Sequence, residues 1–130
     1  MMLAAPRGME TWARTVRVPV YTEKPPPDGW VEVCRAELDM PRVWYLTLTC
    51  AEIEDYVRVF ARLRSGNGQT MWLEERVVYA FRPYSRLLEL WLPARAVQLD
   101  VAASSETVQS GCVITGSLAP IVVPTLGGES

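Results

Sequence analysis

The chain has 130 residues, 49% hydrophobic and 22% charged, which fits one soluble globular domain with a substantial core. A net charge of −2 and a pI near 5.2 exclude a general nucleic-acid binder, which needs a basic face. No apolar run reaches the length of a membrane span, and Met1–Arg7 lacks the apolar centre of a signal peptide, so the expectation is cytoplasmic synthesis with no membrane partner.

Residues 1–9 have no periodicity and read as an N-terminal arm. The pattern from residue 10 to residue 120 is that of a β-sandwich domain, and 121–130 read as a C-terminal tail. Thr11–Tyr21 alternates Val16, Val18 and Val20 with arginines, as a strand does, and Pro19 suits an edge or a bulge. Thr22–Gly29, with Pro25, Pro26 and Pro27, is a stiff extended loop ending in a turn. Trp30–Leu38 sets Trp30, Glu32, Cys34, Ala36 and Leu38 on one side, and Asp39-Met40-Pro41 breaks it. Arg42–Thr49 turns Trp44, Leu46 and Leu48 inward.

Asp55–Phe81 reads as two strands joined at Ser65-Gly66-Asn67-Gly68, residues that tolerate a tight reversal. Val57, Val59, Ala61 and Leu63 form one apolar row, and Met71, Leu73, Val77, Tyr79 and Phe81 form the other. One register sets Phe60 opposite Trp72 and Arg58 opposite Glu74. A helix from Cys50 to Ser65 is the rival. It is supported by the capping-box spacing Thr49 to Glu52, by acids at its start and by Gly66 as a C-cap. The strict alternation of Val57 and Val59 favours the hairpin, with Cys50–Asp55 as a turn or single helical turn.

Leu88, Leu90 and Leu92 alternate in the next strand, Pro93-Ala94 interrupts, and Val97, Leu99 and Val101 follow. Thr107–Ser117 is a strand pair or one bent strand, and Pro120 and Pro124 bracket Ile121-Val122-Val123. Eight or nine short strands without a sustained helix predict an all-β fold, an antiparallel sandwich or jelly roll with extended N- and C-terminal arms.

Chemistry is sparse. The chain has no histidine, so Ser–His and Cys–His nucleophiles are excluded. Cys34, Cys50 and Cys112 are odd in number and widely spaced, as expected of buried reduced thiols, and no metal or other cofactor is expected. Glu52, Glu54 and Asp55, and the pair Glu74 and Glu75, have carboxylates for glycoside hydrolysis but read as solvated charges. Arg58, Arg62, Arg64 and Arg76 read as a sheet surface balanced by Glu74 and Glu75. The five tryptophans offer either sugar platforms or core and interface packing. Met1, Met2, Leu3, Pro25, Pro26, Pro27, Ile121, Val122 and Val123 are the candidate protein-interface residues, on segments suited to lie along a neighbour.

From Arg42 onward the order of pieces resembles a known group. Arg42–Thr49 is followed by Asp55–Phe60, Leu73–Val78, Leu88–Pro93, Val97–Ser104 and Cys112–Gly116. This is similar to the small β-sandwich accessory proteins encoded among tailed-phage structural genes, and it covers roughly the last two thirds of the chain. The resemblance implies a non-enzymatic virion component, a capsid decoration or tail protein. Its partners would be itself, commonly as a trimer, and a major capsid or tail protein lattice. A carbohydrate-binding module is the alternative from another class.

Overall fold

The computed structural model describes residues 12–37, 43–89, 96–106 and 111–121. Among these residues the chain forms nine strands and no helix. They are β1 (Trp12–Val18), β2 (Val20–Tyr21), β3 (Val31–Glu37), β4 (Val43–Ala51), β5 (Tyr56–Ser65), β6 (Thr70–Tyr79), β7 (Tyr84–Glu89), β8 (Ala96–Ser104) and β9 (Cys112–Ile121). One sheet has the order β1-β9-β4-β7. The other has the order β2-β8-β5-β6, with β3 also paired to β8. Pairing is antiparallel throughout, apart from the two-residue ladder of β2 on β8.

The topology is one long hairpin wound into a sandwich. Tyr56 pairs with Tyr79, Val43 with Glu89, Val31 with Val101 and Trp12 with Leu118. Every one of these pairs is centred close to Gly66, so the β5–β6 turn is the midpoint of the whole chain. Successive pairs fall in alternate sheets, with β5·β6 and β3·β8 in one and β4·β7 and β1·β9 in the other. That nesting is a jelly roll. The turn closes through Gly68 N–H to Ser65 O (2.9 Å) and Ser65 N–H to Gln69 O (2.8 Å), and Gly68 has φ of 90°, where a side chain is strained. The chain changes sheets at Pro19, which has no N–H to give to either ladder. Gly29 N–H to Pro26 O (2.8 Å) ends the proline loop in the expected turn.

Several sequence expectations are corrected. Phe60 faces Glu75 and Arg58 faces Val77, so Phe60 and Trp72 lie on opposite faces of the hairpin. The longer turn displaces the pairing by an odd number of residues, and an odd displacement exchanges the faces. Trp72, Glu74, Arg76 and Val78 therefore point toward the other sheet, whereas Leu73 and Tyr79 point outward (61% and 46% exposed), and Phe81 beyond β6 is also exposed. An edge strand accommodates this. The Tyr84 hydroxyl donates to Glu74 Oε2 (2.8 Å), Arg86 donates to Glu74 Oε1 (3.1 Å), and the Arg76 guanidinium stacks over the Tyr84 ring. Polar and aromatic groups of β7 thus close the sandwich where an apolar row was expected.

In β3 a bulge between Glu32 and Cys34 buries both Val33 and Cys34 and breaks the simple alternation. Of the expected Cys50–Asp55 turn, Cys50 and Ala51 end β4 and residues 52–55 bend without a helix, with Glu52 at φ of 61° and Phe81 N–H bonded to Cys50 O (3.0 Å). β9 is one strand that runs through Pro120 to Ile121. Thr107, Val108, Leu90, Trp91, Leu92, Pro93, Ala94 and the Asp39-Met40-Pro41 break lie outside the described residues.

Trp44, Leu46 and Leu48 face Val57, Val59, Leu63, Val97, Leu99 and Val101 between the sheets, as their alternation requires. Cys34, Cys50 and Cys112 are buried free thiols, as expected. A hydrogen bond to Cys112, followed by burial, pushes the Cys50 thiol up and keeps it neutral. Burial, with Glu32 adding to it, pushes Cys34 from its ordinary 9.0 up to about 11.

Two outcomes follow from this packing. A Cβ at Gly116 would sit 2.9 Å from Val33 Cγ1 and 3.0 Å from Leu99 Cδ2, between the sheets. Gly116→Ala is expected to lower stability by about 1–3 kcal/mol, read as an earlier urea midpoint at unchanged slope. For Cys34 the folded-state pKa is the raised one, so its contribution is whole below pH 9.0 and is lost as pH rises toward about 11. The stability difference between the native chain and Cys34→Ala should therefore shrink from pH 8 to pH 11. A constant difference in paired denaturation curves would contradict this.

Candidate functional site

The outer face of the β8-β5-β6 sheet carries a groove of about 820 Å³. Its floor follows from register. Phe60 lies opposite Ala102, and Arg58 lies opposite Ser104, so small side chains on β8 leave room beside the Phe60 ring. Phe60 is only 8% exposed, and the groove is therefore floored by an aromatic residue that is already covered. The Pro25–Pro27 loop and Trp30 form one wall, and Tyr56, Leu73 and Glu75 contribute to the lining elsewhere. Tyr56 packs on Tyr79 with ring centroids 5.8 Å apart, and Arg82 lies over Tyr79.

A polar network continues along the same face. Asp100 is 1% exposed and accepts from Arg62 Nε (2.9 Å) and Arg64 Nε (2.7 Å) on one oxygen and from Gln98 Nε2 (2.7 Å) on the other. Arg35 donates to Gln98 Oε1 (2.7 Å) and to Glu32 Oε1 (3.3 Å). The Arg62 guanidinium lies 4.3 Å from the centre of the Trp30 ring, which ties the network to the groove wall. A buried carboxylate with three charge-assisted or amide donors is satisfied, so this cluster is a structural brace. Beside it, Arg35, Arg64 and the Ser65–Gly68 turn line a second hollow of about 350 Å³.

The arginine group expected as one balanced surface is divided. Arg58 meets Glu75 at 3.6 Å, a half-exposed pair of little energetic consequence, whereas Arg62 and Arg64 turn to Asp100 and Arg76 to Tyr84. Asp100 escaped the sequence reading because β8 is far along the chain from β5, and nothing local marks the two as neighbours. Glu74 and Glu75 point to opposite faces and are held by different partners, so they do not converge on a substrate. Glu52 pairs with Arg17 at 2.8 Å. Among the described residues no group of His, Cys, Asp or Glu is placed to hold a metal ion.

Of the candidate interface residues, Pro25, Pro26 and Pro27 line the groove. Ile121 is not part of a tail. It closes β9 opposite Val43 and is 38% exposed, because β9 continues pairing with β4 past Pro120. The two places lie on different sheets. Met1, Met2, Leu3, Val122 and Val123 lie outside the described residues. Tyr56, Leu73 and Tyr79 were missed as exposed surface, and only the true register reveals them. Trp12 packs on the buried Trp44 at 6.1 Å, and Trp30 and Trp72 are half-buried, so the described tryptophans form no exposed row.

No known protein family and no curated protein matches the chain. Among solved structures it is similar in fold to AlgX of Pseudomonas aeruginosa, at 11% identity and a TM-score of 0.49 over 85% of this chain and 26% of that one. It is also similar to the VP2 subviral particle of infectious bursal disease virus (10% identity, TM-score 0.45, 85% of this chain and 33% of that one). A further likeness is to the disulfide-linked pili of Bacillus endospore appendages (10%, TM-score 0.41, 94% and 100%). The chain spans about a quarter to a third of the length of the first two.

Asp100→Asn should cost about 1–3 kcal/mol by urea unfolding, because two guanidiniums lose their shared charge but keep enough exposure to recover water. A variant as stable as the native chain would mean that the brace contributes nothing.

Proposed function

We propose that this chain is a non-enzymatic structural component of a virion, a capsid decoration or tail accessory protein of a bacteriophage, that acts by binding an assembled protein lattice. The observation that carries the reading is the outward apolar face of the β5·β6 hairpin. Leu73 and Tyr79 are directed to solvent beside Tyr56, and Arg58 and Glu75 lie among them. Leaving a leucine exposed forgoes about 1.5–3 kcal/mol of burial, which a lattice partner would restore. Aromatic side chains with an arginine between them are the composition of a protein contact. The adjoining proline loop is already turned and stiff, so docking against it orders little new chain.

The sugar-binding alternative draws on the same groove, where Trp30 and Tyr56 stand near Arg58, Glu75 and Ser104. One comparison separates the two readings. Leu73→Glu with Tyr79→Glu should abolish co-sedimentation with purified particles while the thermal transition is kept. Retained particle binding, or glycan-array binding that Tyr56→Ala removes, would favour the alternative.

A further inference from the structure

The opposite side of the sandwich has a different character. On the outer face of the β1-β9-β4-β7 sheet, the pairing aligns Thr15, Thr115 and Thr49 in one row and Ala13, Ser117, Thr47 and Ser85 in the next. Ala119, Tyr45 and Leu87 form the row beyond. These three rows cross the sheet without a charged side chain. The charges come at its two ends, as the Arg17–Glu52 pair and as Glu89. The other sheet presents Glu32, Arg35, Arg58, Arg62, Arg64 and Glu75 on its outer face, so the contrast is between two faces of one molecule. Tyr45 and Leu87 are 40% and 62% exposed, so the bare rows end in uncovered apolar surface.

We infer that this face is a self-association surface, and that its occupant is the same face of a second copy. A face that meets its own copy meets its own charges, and a patch without charge meets no repulsion. Hydroxyls donate and accept equally, so a row of threonines and serines is complementary to itself. Thr15 pairs with Thr115 (2.8 Å) and Thr47 with Ser85 (3.3 Å), whereas the Thr49 and Ser117 hydroxyls have no partner among the described residues. Strand spacing and rise give the whole four-strand face, its charged ends included, roughly 500–600 Å², of which the three uncharged rows are about 350 Å². Two copies meeting over the whole face then bury on the order of 1,000–1,200 Å², which reaches the lower bound of a specific interface. Such a contact is isologous and closes as a dimer, unlike the trimer that the phage resemblance implies. It goes beyond the lattice reading and uses the other sheet.

The test uses the full chain alone, so its outcome is separate from particle binding. Analytical ultracentrifugation from nanomolar to about 100 µM should show a concentration-dependent shift to twice the monomer mass. Thr115→Arg, between Thr15 and Thr49 in the first row, should raise the concentration needed by at least about tenfold, because each copy brings an unpartnered charge into the contact. Val77→Arg, on the opposite sheet, should leave association unchanged. Hydroxyl-radical footprinting of the native chain supplies a readout that needs no variant, in which Tyr45 and Leu87 become several-fold less reactive at high concentration while Leu73 and Tyr79 do not. A chain monomeric throughout, a threefold mass, an unaffected Thr115→Arg, or footprints equal at both concentrations would overturn the inference. So would protection of Tyr45 at low concentration that is lost on deleting residues 1–11, since the occupant would then be this chain's own terminus.

Discussion

Nested antiparallel pairing makes every strand contact depend on where the β5·β6 turn closes. Tyr56 and Tyr79, Val43 and Glu89, Val31 and Val101, and Trp12 and Leu118 are all centred near Gly66, so the turn fixes one register that the outer pairs inherit. Local irregularities absorb the mismatch between layers. A bulge at Leu63/Arg64 lets the tip close on Gly68, and a bulge at Glu32/Cys34 lets β3 follow β8 while keeping Val33 in the core. Pro19 carries the chain between sheets where no ladder needs an N–H, and the proline loop then joins β2 to β3 within one sheet.

The same constraint explains what was legible in the sequence. Strict alternation at Val57, Val59 and Leu63, at Trp44, Leu46 and Leu48, and at Val97, Leu99 and Val101 identified the core rows, because both strand neighbours of these segments lie within the sandwich. β6 failed because it is an edge strand. Its inward row of Trp72, Glu74, Arg76 and Val78 meets β7 side chains at the rim, so burial does not require it to be apolar. Asp100 failed for another reason. Its partners Arg62 and Arg64 are adjacent only after β8 has returned to β5, a pairing that no local pattern carries. The groove depends on both, since its floor is a β5·β8 register and its rim a β6 face.

Closure order bears on how such a fold assembles. Forming β5·β6 closes only the Gly66–Gln69 turn, whereas β1·β9 joins Trp12 to Leu118 across nearly the whole chain. The entropy of closing a loop grows with its length, but each inner pair shortens the loop that the next pair must close. A nested hairpin therefore reduces a long-range problem to successive short ones, provided the tip forms first. The helix rival for Cys50–Ser65 would have removed that first step, and the positive φ of Glu52 at the entry to the segment is where the local backbone departs from it.

The two outer faces then divide the surface by charge. On the β8-β5-β6 face, Asp100 gathers Arg62 and Arg64 and thereby draws charge away from the groove, leaving Arg58 and Glu75 beside Tyr56 and Leu73. In the three middle rows of the β1-β9-β4-β7 face there is nothing to gather, because their outward positions are threonine, serine, alanine, tyrosine and leucine. Jelly-roll nesting sends alternate hairpins to opposite sheets, and every strand alternates inward with outward residues. One chain can thus keep a single shared core while each outer face is composed independently of the other. The two proposed contacts, one with a lattice and one with a second copy, would each draw on that independence.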